Sequence, residues 1–203
     1  MSIQDRAPAA RTRHLPLQRT APLDDTLAPA AGGLGGPVLA VLRVVMGLTF
    51  LWAFADKMFG LGYTTKPAAA WIHGGSPTQG FLGHVQVGPA QSMLRSWAGT
   101  GWVDWLFMLA LLGVGLALLL GIGLRLAAGA GTLLLASMWI AEWPLARSTS
   151  TGTATSSSNP LIDYHLIYLV VVIALAVFAA GNTWGFGRRW ARLEIVRRYR
   201  WLR

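Results

Sequence analysis

The chain contains no cysteine. Structural disulfides, thiolate metal sites, cysteine-ligated iron–sulfur clusters and dithiol relays within this polypeptide are therefore excluded. Charge is scarce too. Charged residues make up 12% of the chain, about half the ~25% usual in soluble globular proteins. Only eight of the 203 residues are acidic. The seventeen basic residues are fifteen Arg and two Lys, so the formal charge is +9. Between Leu106 and Leu124 there is no polar side chain at all. A soluble four-helix bundle would carry a polar face repeating every ~3.6 residues, so that class fails. A soluble enzyme, a disordered regulator and a free nucleic-acid-binding domain fit equally badly.

What is present is apolar: 54% hydrophobic residues and a mean hydropathy of +0.48. Four apolar segments cover about 37–59, 103–123, 124–144 and 161–181. Each holds about 20 residues, which at ~1.5 Å rise matches the ~30 Å hydrocarbon core of a bilayer. The predicted fold is an all-α integral membrane protein built as a four-transmembrane-helix bundle. Residues 1–36 read as a disordered tail, because breakers and scattered Arg replace apolar periodicity. Its opening residues lack a signal peptide's apolar stretch, so no N-terminal cleavage is expected.

Orientation follows from Arg and Lys in the short flanks. Four Arg precede the first span, Arg125 lies between the second and third, and seven lie in the tail from Arg188 to Arg203. The other side has Lys57, Lys66, Arg95 and Arg147. Both termini are thus expected in the cytoplasm. The outer loop, 60–102, is punctuated by Pro67, Pro77 and Pro89, each suited to the first turn of a short helix. Ser76 suits an N-cap, and Gly74 and Gly99 suit helix stops. Two or three short interfacial helices roofing the bundle are predicted there. The Ser/Thr-rich run 148–158 reads as a mobile outer loop. Residues 188–203 interleave Arg with Trp190, Leu193, Ile195, Val196, Tyr199 and Trp201. Such a basic amphipathic helix next to a span favours anionic lipid over nucleic acid.

An ionisable group within a span costs roughly 2.5–3.5 kcal/mol, so each one calls for a reason. Arg43 sits near the inner boundary and reads as a snorkelling anchor. Asp56 and Lys57 close the first span, Asp104 opens the second, Glu142 closes the third, and Asp163 and His165 open the fourth. With the orientation above, these six share the outer layer, either as one polar pocket or as helix ends meeting water. Asp104, between Trp102 and Trp105, suits the helix-end reading best; Glu142 and His165, flanked by apolar or aromatic neighbours, suit the pocket. A His beside a carboxylate can relay protons, a property wanted where a quinone is reduced or oxidised. Trp52, Phe54, Trp139, Tyr164 and Tyr168 are candidate flat walls for the ring, with interfacial aromatic belts as the alternative.

Other chemistries drop out. One His within the spans cannot supply bis-His haem ligation, and no Glu-x-x-His pair or second His marks a zinc or di-iron site. No haem or metal is expected from this chain alone. Gly32-Gly33-Leu34-Gly35-Gly36 is a linker rather than a phosphate-binding turn. No inverted repeat or pair of broken spans supports a transporter. Gly113, Ala117 and Gly121, with Ala127 and Gly131 in the next span, form small-residue stripes that predict close helix packing.

The run Leu42-Arg43-Val44-Val45-Met46-Gly47-Leu48-Thr49-Phe50-Leu51-Trp52-Ala53-Phe54-Ala55-Asp56-Lys57 resembles the first-span motif of DoxX-like membrane proteins, particularly the actinobacterial type. The stretches Ala70-Trp71-Ile72-His73-Gly74-Gly75-Ser76-Pro77, Asn159-Pro160-Leu161-Ile162-Asp163-Tyr164-His165 and Ala180-Gly181-Asn182-Thr183-Trp184-Gly185-Phe186-Gly187 resemble the same branch. The resemblance spans about residues 38–190. It implies a multi-pass protein of a bacterial plasma membrane, related to the DoxD subunit of thiosulfate:quinone oxidoreductase. By this resemblance quinone is the expected cofactor, and Asp56, Lys57, Asp163 and His165 are motif matches. Glu142 joins them on depth alone. The expected function is that of a quinone-interacting membrane subunit in thiosulfate or thiol oxidation at the outer face. Membrane lipid and either a protein partner or a homo-oligomer are the expected partners. The rivals are a non-catalytic scaffold or accessory subunit, and a proton or small-solute pathway.

Overall fold

A computed structural model describes residues 33–149, 151–155 and 157–202. The predicted N-terminal tail lies outside the described residues up to position 32. The described residues are all-helical apart from one isolated antiparallel bridge, Ser148 with Ala154. The helices are α1 (Gly35–Phe59), α2 (Gln79–Leu82), α3 (Gln91–Trp97), α4 (Gly101–Leu120), α5 (Leu124–Glu142), α6 (Tyr164–Val177), α7 (Gly187–Trp190) and α8 (Glu194–Arg198).

Three of these, α1, α4 and α5, are long and apolar enough to cross a membrane. At ~1.5 Å per residue they reach roughly 37, 30 and 28 Å. Their burial pattern is inverted relative to a soluble protein. Leu106, Leu109, Leu133 and Val170 are more than half exposed, whereas Arg43, Asp56, Asp104 and His165 are buried. Apolar surface turned outward and polar groups turned inward is the pattern that hydrocarbon solvent selects.

The fourth apolar helix is shorter than the predicted 161–181. It runs 14 residues, Tyr164–Val177, or about 21 Å. Its start is delayed because Asn159 Oδ1 accepts from the amides of Leu161 and Ile162, both at 2.9 Å. Asp163 then caps the helix, accepting from Leu166 N–H at 3.0 Å. Its end comes early because Gly181 packs on the α4–α5 turn. A Cβ on Gly181 would lie 2.1 Å from the Gly121 carbonyl oxygen. The chain reaches that contact through Ala179 at φ 47° and a 3₁₀ turn, Ala180–Asn182.

Packing sets α1 against α4, α4 against α5 and α5 against α6. The directions alternate: α1 residues 43, 47 and 51 meet α4 at progressively earlier positions, and Gly131 and Glu142 of α5 face Val172 and Tyr164 of α6. This brings the end of α1, the start of α4, the end of α5 and the start of α6 to one pole. Of the predicted stripe, Gly113 is not a contact, since a Cβ there would meet open space, whereas Gly121 packs closely against Gly181 and Arg43. The crossing instead uses Gly47 and Gly115. A Cβ on Gly47 would lie 2.8 Å from Leu119 N, and one on Gly115 would lie 2.8 Å from Leu51 Cγ. Close backbone approach of this kind supplies the van der Waals contact that holds helices together in lipid.

Arg43 does not snorkel. It is fully buried, and its Nη1 donates to the carbonyls of Leu118 and of Leu119 (2.7 Å to the latter). Nη2 donates to Trp184 O at 3.0 Å. The cation therefore caps the C-terminal end of α4, where unsatisfied carbonyls and the helix dipole both favour positive charge. Gly121 makes room for it: a Cβ there would stand 3.0 Å from Nη1. The same glycine turns the chain at φ 72°.

The C-terminal tail is two short helices and a 3₁₀ turn (Arg200–Leu202) rather than one amphipathic helix. Trp190 Nε1 donates to Leu202 O at 2.7 Å and Val196 is fully buried, so the tail folds back on itself. Its last turn touches α5. Ile195, Tyr199 and Trp201 remain exposed.

Candidate functional site

The polar pole is organised by loops. In the loop between α1 and α4, Pro67 opens a 3₁₀ turn (Pro67–Ala69) and Gly74, at φ 85°, ends the next one (Trp71–His73). Ser76 Oγ accepts from Gln79 N–H at 3.1 Å, although the residue at the N-cap position of α2 is Thr78 rather than the expected Ser76. The 148–158 loop, expected to be mobile, is folded in its described residues as a short hairpin. Thr149 N–H donates to Thr153 O and Thr155 N–H to Arg147 O. The hydroxyls of Thr155 and Ser157 donate to Ala146 O and Pro144 O, both at 2.6 Å. Serine and threonine side chains thus meet the backbone's own hydrogen-bonding needs.

The six polar residues expected in one layer share a pole but fall into three environments. Asp56 is buried beneath the segment after α1 and accepts from Thr64 Oγ1 (2.6 Å), Thr64 N–H (3.0 Å) and Tyr63 N–H (3.3 Å). Lys57 Nζ lies 3.5 Å from Thr64 Oγ1 and 5.9 Å above the Phe107 ring. Trp52 packs edge-on against Tyr63 at 5.1 Å. These three residues hold down one loop.

Asp104 is not a helix end meeting water. It is 5% exposed, and its Oδ1 accepts from Thr78 Oγ1 (2.6 Å), Ser76 Oγ (2.9 Å) and Thr78 N–H (3.0 Å). The carboxylate ties the loop before it to α4.

The third group joins α5 to α6. His165, 1% exposed, has Nδ1 2.8 Å from Asp163 Oδ2 and 3.6 Å from Glu142 Oε2. Tyr164 O–H donates to Glu142 Oε1 at 3.1 Å. Glu142 ends its helix because Trp143 adopts φ 43°, a left-handed conformation costly for a bulky residue. The Trp143 side chain stacks beside Gly88, whose Cβ would meet it at 2.9 Å. His165 Nε2 is buried with no hydrogen-bond partner.

A cavity of about 660 Å³ opens beside this group, lined by Glu142, Asp163, Tyr164, Phe81, His84 and the hydroxyl-rich hairpin. Tyr164 is the one predicted wall aromatic that borders it. Tyr168 packs edge-on behind Tyr164 at 5.9 Å, and Trp139 donates its indole N–H to Leu161 O at 3.0 Å, joining α5 to α6. A second cavity of about 360 Å³ lies between α4, α5 and the roof, lined almost wholly by apolar groups including Trp97, Trp102, Phe107, Leu133 and Met138. Phe81 lines both cavities.

Sequence reasoning missed Phe81, His84 and the hairpin hydroxyls as cavity walls. No local signal marks them, because they meet the helix pole only through the fold of the loops. The chain matches no family model, no curated protein and no solved structure.

Proposed function

We propose that the protein is a four-span, DoxX-like membrane subunit that handles quinone at its outer pole, accepting electrons from thiosulfate or a reduced thiol. In this reading α6, extended by the segments flanking it, completes the fourth crossing. The observation that carries the quinone assignment is the pairing of the two cavities across Phe81. One has carboxylates, a tyrosine and hydroxyls among its walls and suits a ring with two hydrogen-bonding oxygens. The other is apolar, opens among lipid-facing helices and suits an isoprenoid tail. A mostly apolar site with a few convergent polar groups is the usual form of a cofactor pocket.

The chemistry balances without a group on this chain that cycles electrons. Two thiosulfate ions joined as tetrathionate release two electrons, and these with two protons convert quinone to quinol. With no cysteine available, the electrons pass straight to the ring or through a partner subunit.

The test is thiosulfate-dependent reduction of a soluble quinone analogue by the purified protein. Tyr164→Phe and Phe81→Ala are expected to raise the KM for quinone several-fold while the protein stays folded. Absence of activity from folded protein, alone and with co-purified partners, removes the oxidoreductase reading and favours an accessory subunit.

A further inference from the structure

We propose that Glu142, Asp163 and His165 bind one divalent first-row transition-metal ion, seated between His165 Nδ1, Asp163 Oδ2 and Glu142 Oε2. This inference is independent of the quinone reading. Three observations carry it besides the presence of two acids.

The donors converge at suitable spacing. One ligand atom from each residue lies within 4.8 Å of the others, and Nδ1 is 2.8 Å from Oδ2 and 3.6 Å from Oε2. Ligand bonds of ~2.0–2.2 Å place neighbouring ligands ~3.0–3.4 Å apart in octahedral or tetrahedral geometry. The two separations from Nδ1 lie on either side of that range.

The carboxylates are held in position from behind. Asp163 commits Oδ1 to the Leu166 amide, and Glu142 commits Oε1 to the Tyr164 hydroxyl. Each therefore turns its remaining oxygen towards Nδ1. Outer partners that fix the non-ligating atoms of a carboxylate are a regular part of metal sites.

The charge is unbalanced. Among the described residues, the ion pairs made by Glu142 and Asp163 are both to His165, and neither involves Lys or Arg. A fully protonated imidazole would balance only one of the two charges. A divalent ion at Nδ1 balances both. The adjoining cavity gives it an entry path and room for water at the open coordination positions. One imidazole with two carboxylates suits Zn²⁺, Mn²⁺ or Fe²⁺, and the lack of thiolate disfavours Cu⁺. Spacing could not reveal this site, because Glu142 and Tyr164 are 22 residues apart across a loop.

The experiment titrates Co²⁺ alone into chelator-stripped, full-length protein in detergent, following its d–d absorption, and then displaces it with Zn²⁺. One ion per chain is expected. Glu142→Gln and Asp163→Asn should each weaken binding at least about tenfold, and His165→Gln should abolish the spectral signature of nitrogen ligation. Zn²⁺ should raise the unfolding temperature of the parent more than that of Glu142→Gln. Glu142→Gln keeps an acceptor for Tyr164, so it is the variant that retains the fold. His73→Gln and His84→Gln should bind as the parent does. No saturable binding to folded parent overturns the proposal. So does stoichiometric binding that survives in Glu142→Gln and His165→Gln, or that disappears in His84→Gln instead.

Discussion

Replacing Arg43 with Met tests how the pole at the C-terminal end of α4 is held together. The guanidinium donates three hydrogen bonds to main-chain carbonyls, two at the end of α4 and one at Trp184. Hydrogen bonds from a charged group are worth ~1.5–3 kcal/mol each, so the gross loss is about 5–9 kcal/mol. Against this stands the several kcal/mol that burying a cation costs, which Met does not incur. The expected net loss is about 2–4 kcal/mol. For a domain of this size each kcal/mol moves the midpoint by roughly 2–4 °C, so the variant should unfold about 5–15 °C lower. Tryptophan fluorescence during heating in detergent reads this directly. Arg43→Lys should recover only part of the loss, because an ammonium lacks the planar fork that spans Leu118, Leu119 and Trp184. Gly121→Ala, which pushes a Cβ to 3.0 Å from Nη1, should be less than additive with Arg43→Met, since both disturb one contact. An Arg43→Met variant melting within about 2 °C of the parent would refute the capping role and restore the snorkelling one.

Asp104→Ala removes the acceptor for Ser76 and Thr78. It should speed protease cleavage within 60–101 markedly while leaving the transmembrane helices intact; an unchanged digestion pattern would show that the roof is held by packing alone. Gly115→Leu drives a side chain into Leu51 at the α1–α4 crossing and should destabilise by about 2 kcal/mol or more, whereas Gly113→Leu, facing open space, should be neutral. Equal effects of the two would mean the crossing is misplaced. Because the chain has no cysteine, single substitutions report topology cleanly. Ser96→Cys should react with an impermeant maleimide from outside intact cells and Arg192→Cys only after lysis, and the opposite pattern would invert the proposed orientation.

The local features were legible because their causes are local. A run of apolar residues with no polar side chain makes a helix that can lie in lipid, whatever it packs against. Pro67 and Ser76 sit where their own backbone constraints and hydroxyl chemistry place them. The gathering of Asp56, Asp104, Glu142 and His165 at one pole follows from the alternating direction of the four long helices.

Tertiary structure decided the rest, because it depends on how each helix is rotated about its axis and on how loops return. Helix rotation chose Gly115 over Gly113 for the close crossing, although both belong to a small-residue segment. It also turned Arg43 inward to the α4 carbonyls, when its depth alone suited a reach to the inner surface. The Gly181–Gly121 contact shortened α6. Loop folding then separated the six polar residues: Asp56 and Asp104 are each occupied in anchoring a loop, whereas Glu142 and Asp163 line a cavity with His165 buried behind them. Sequence determined which residues enter the apolar layer and at what depth. Only the packed fold decided which of them meet, because contacts between residues distant along the chain leave no local trace.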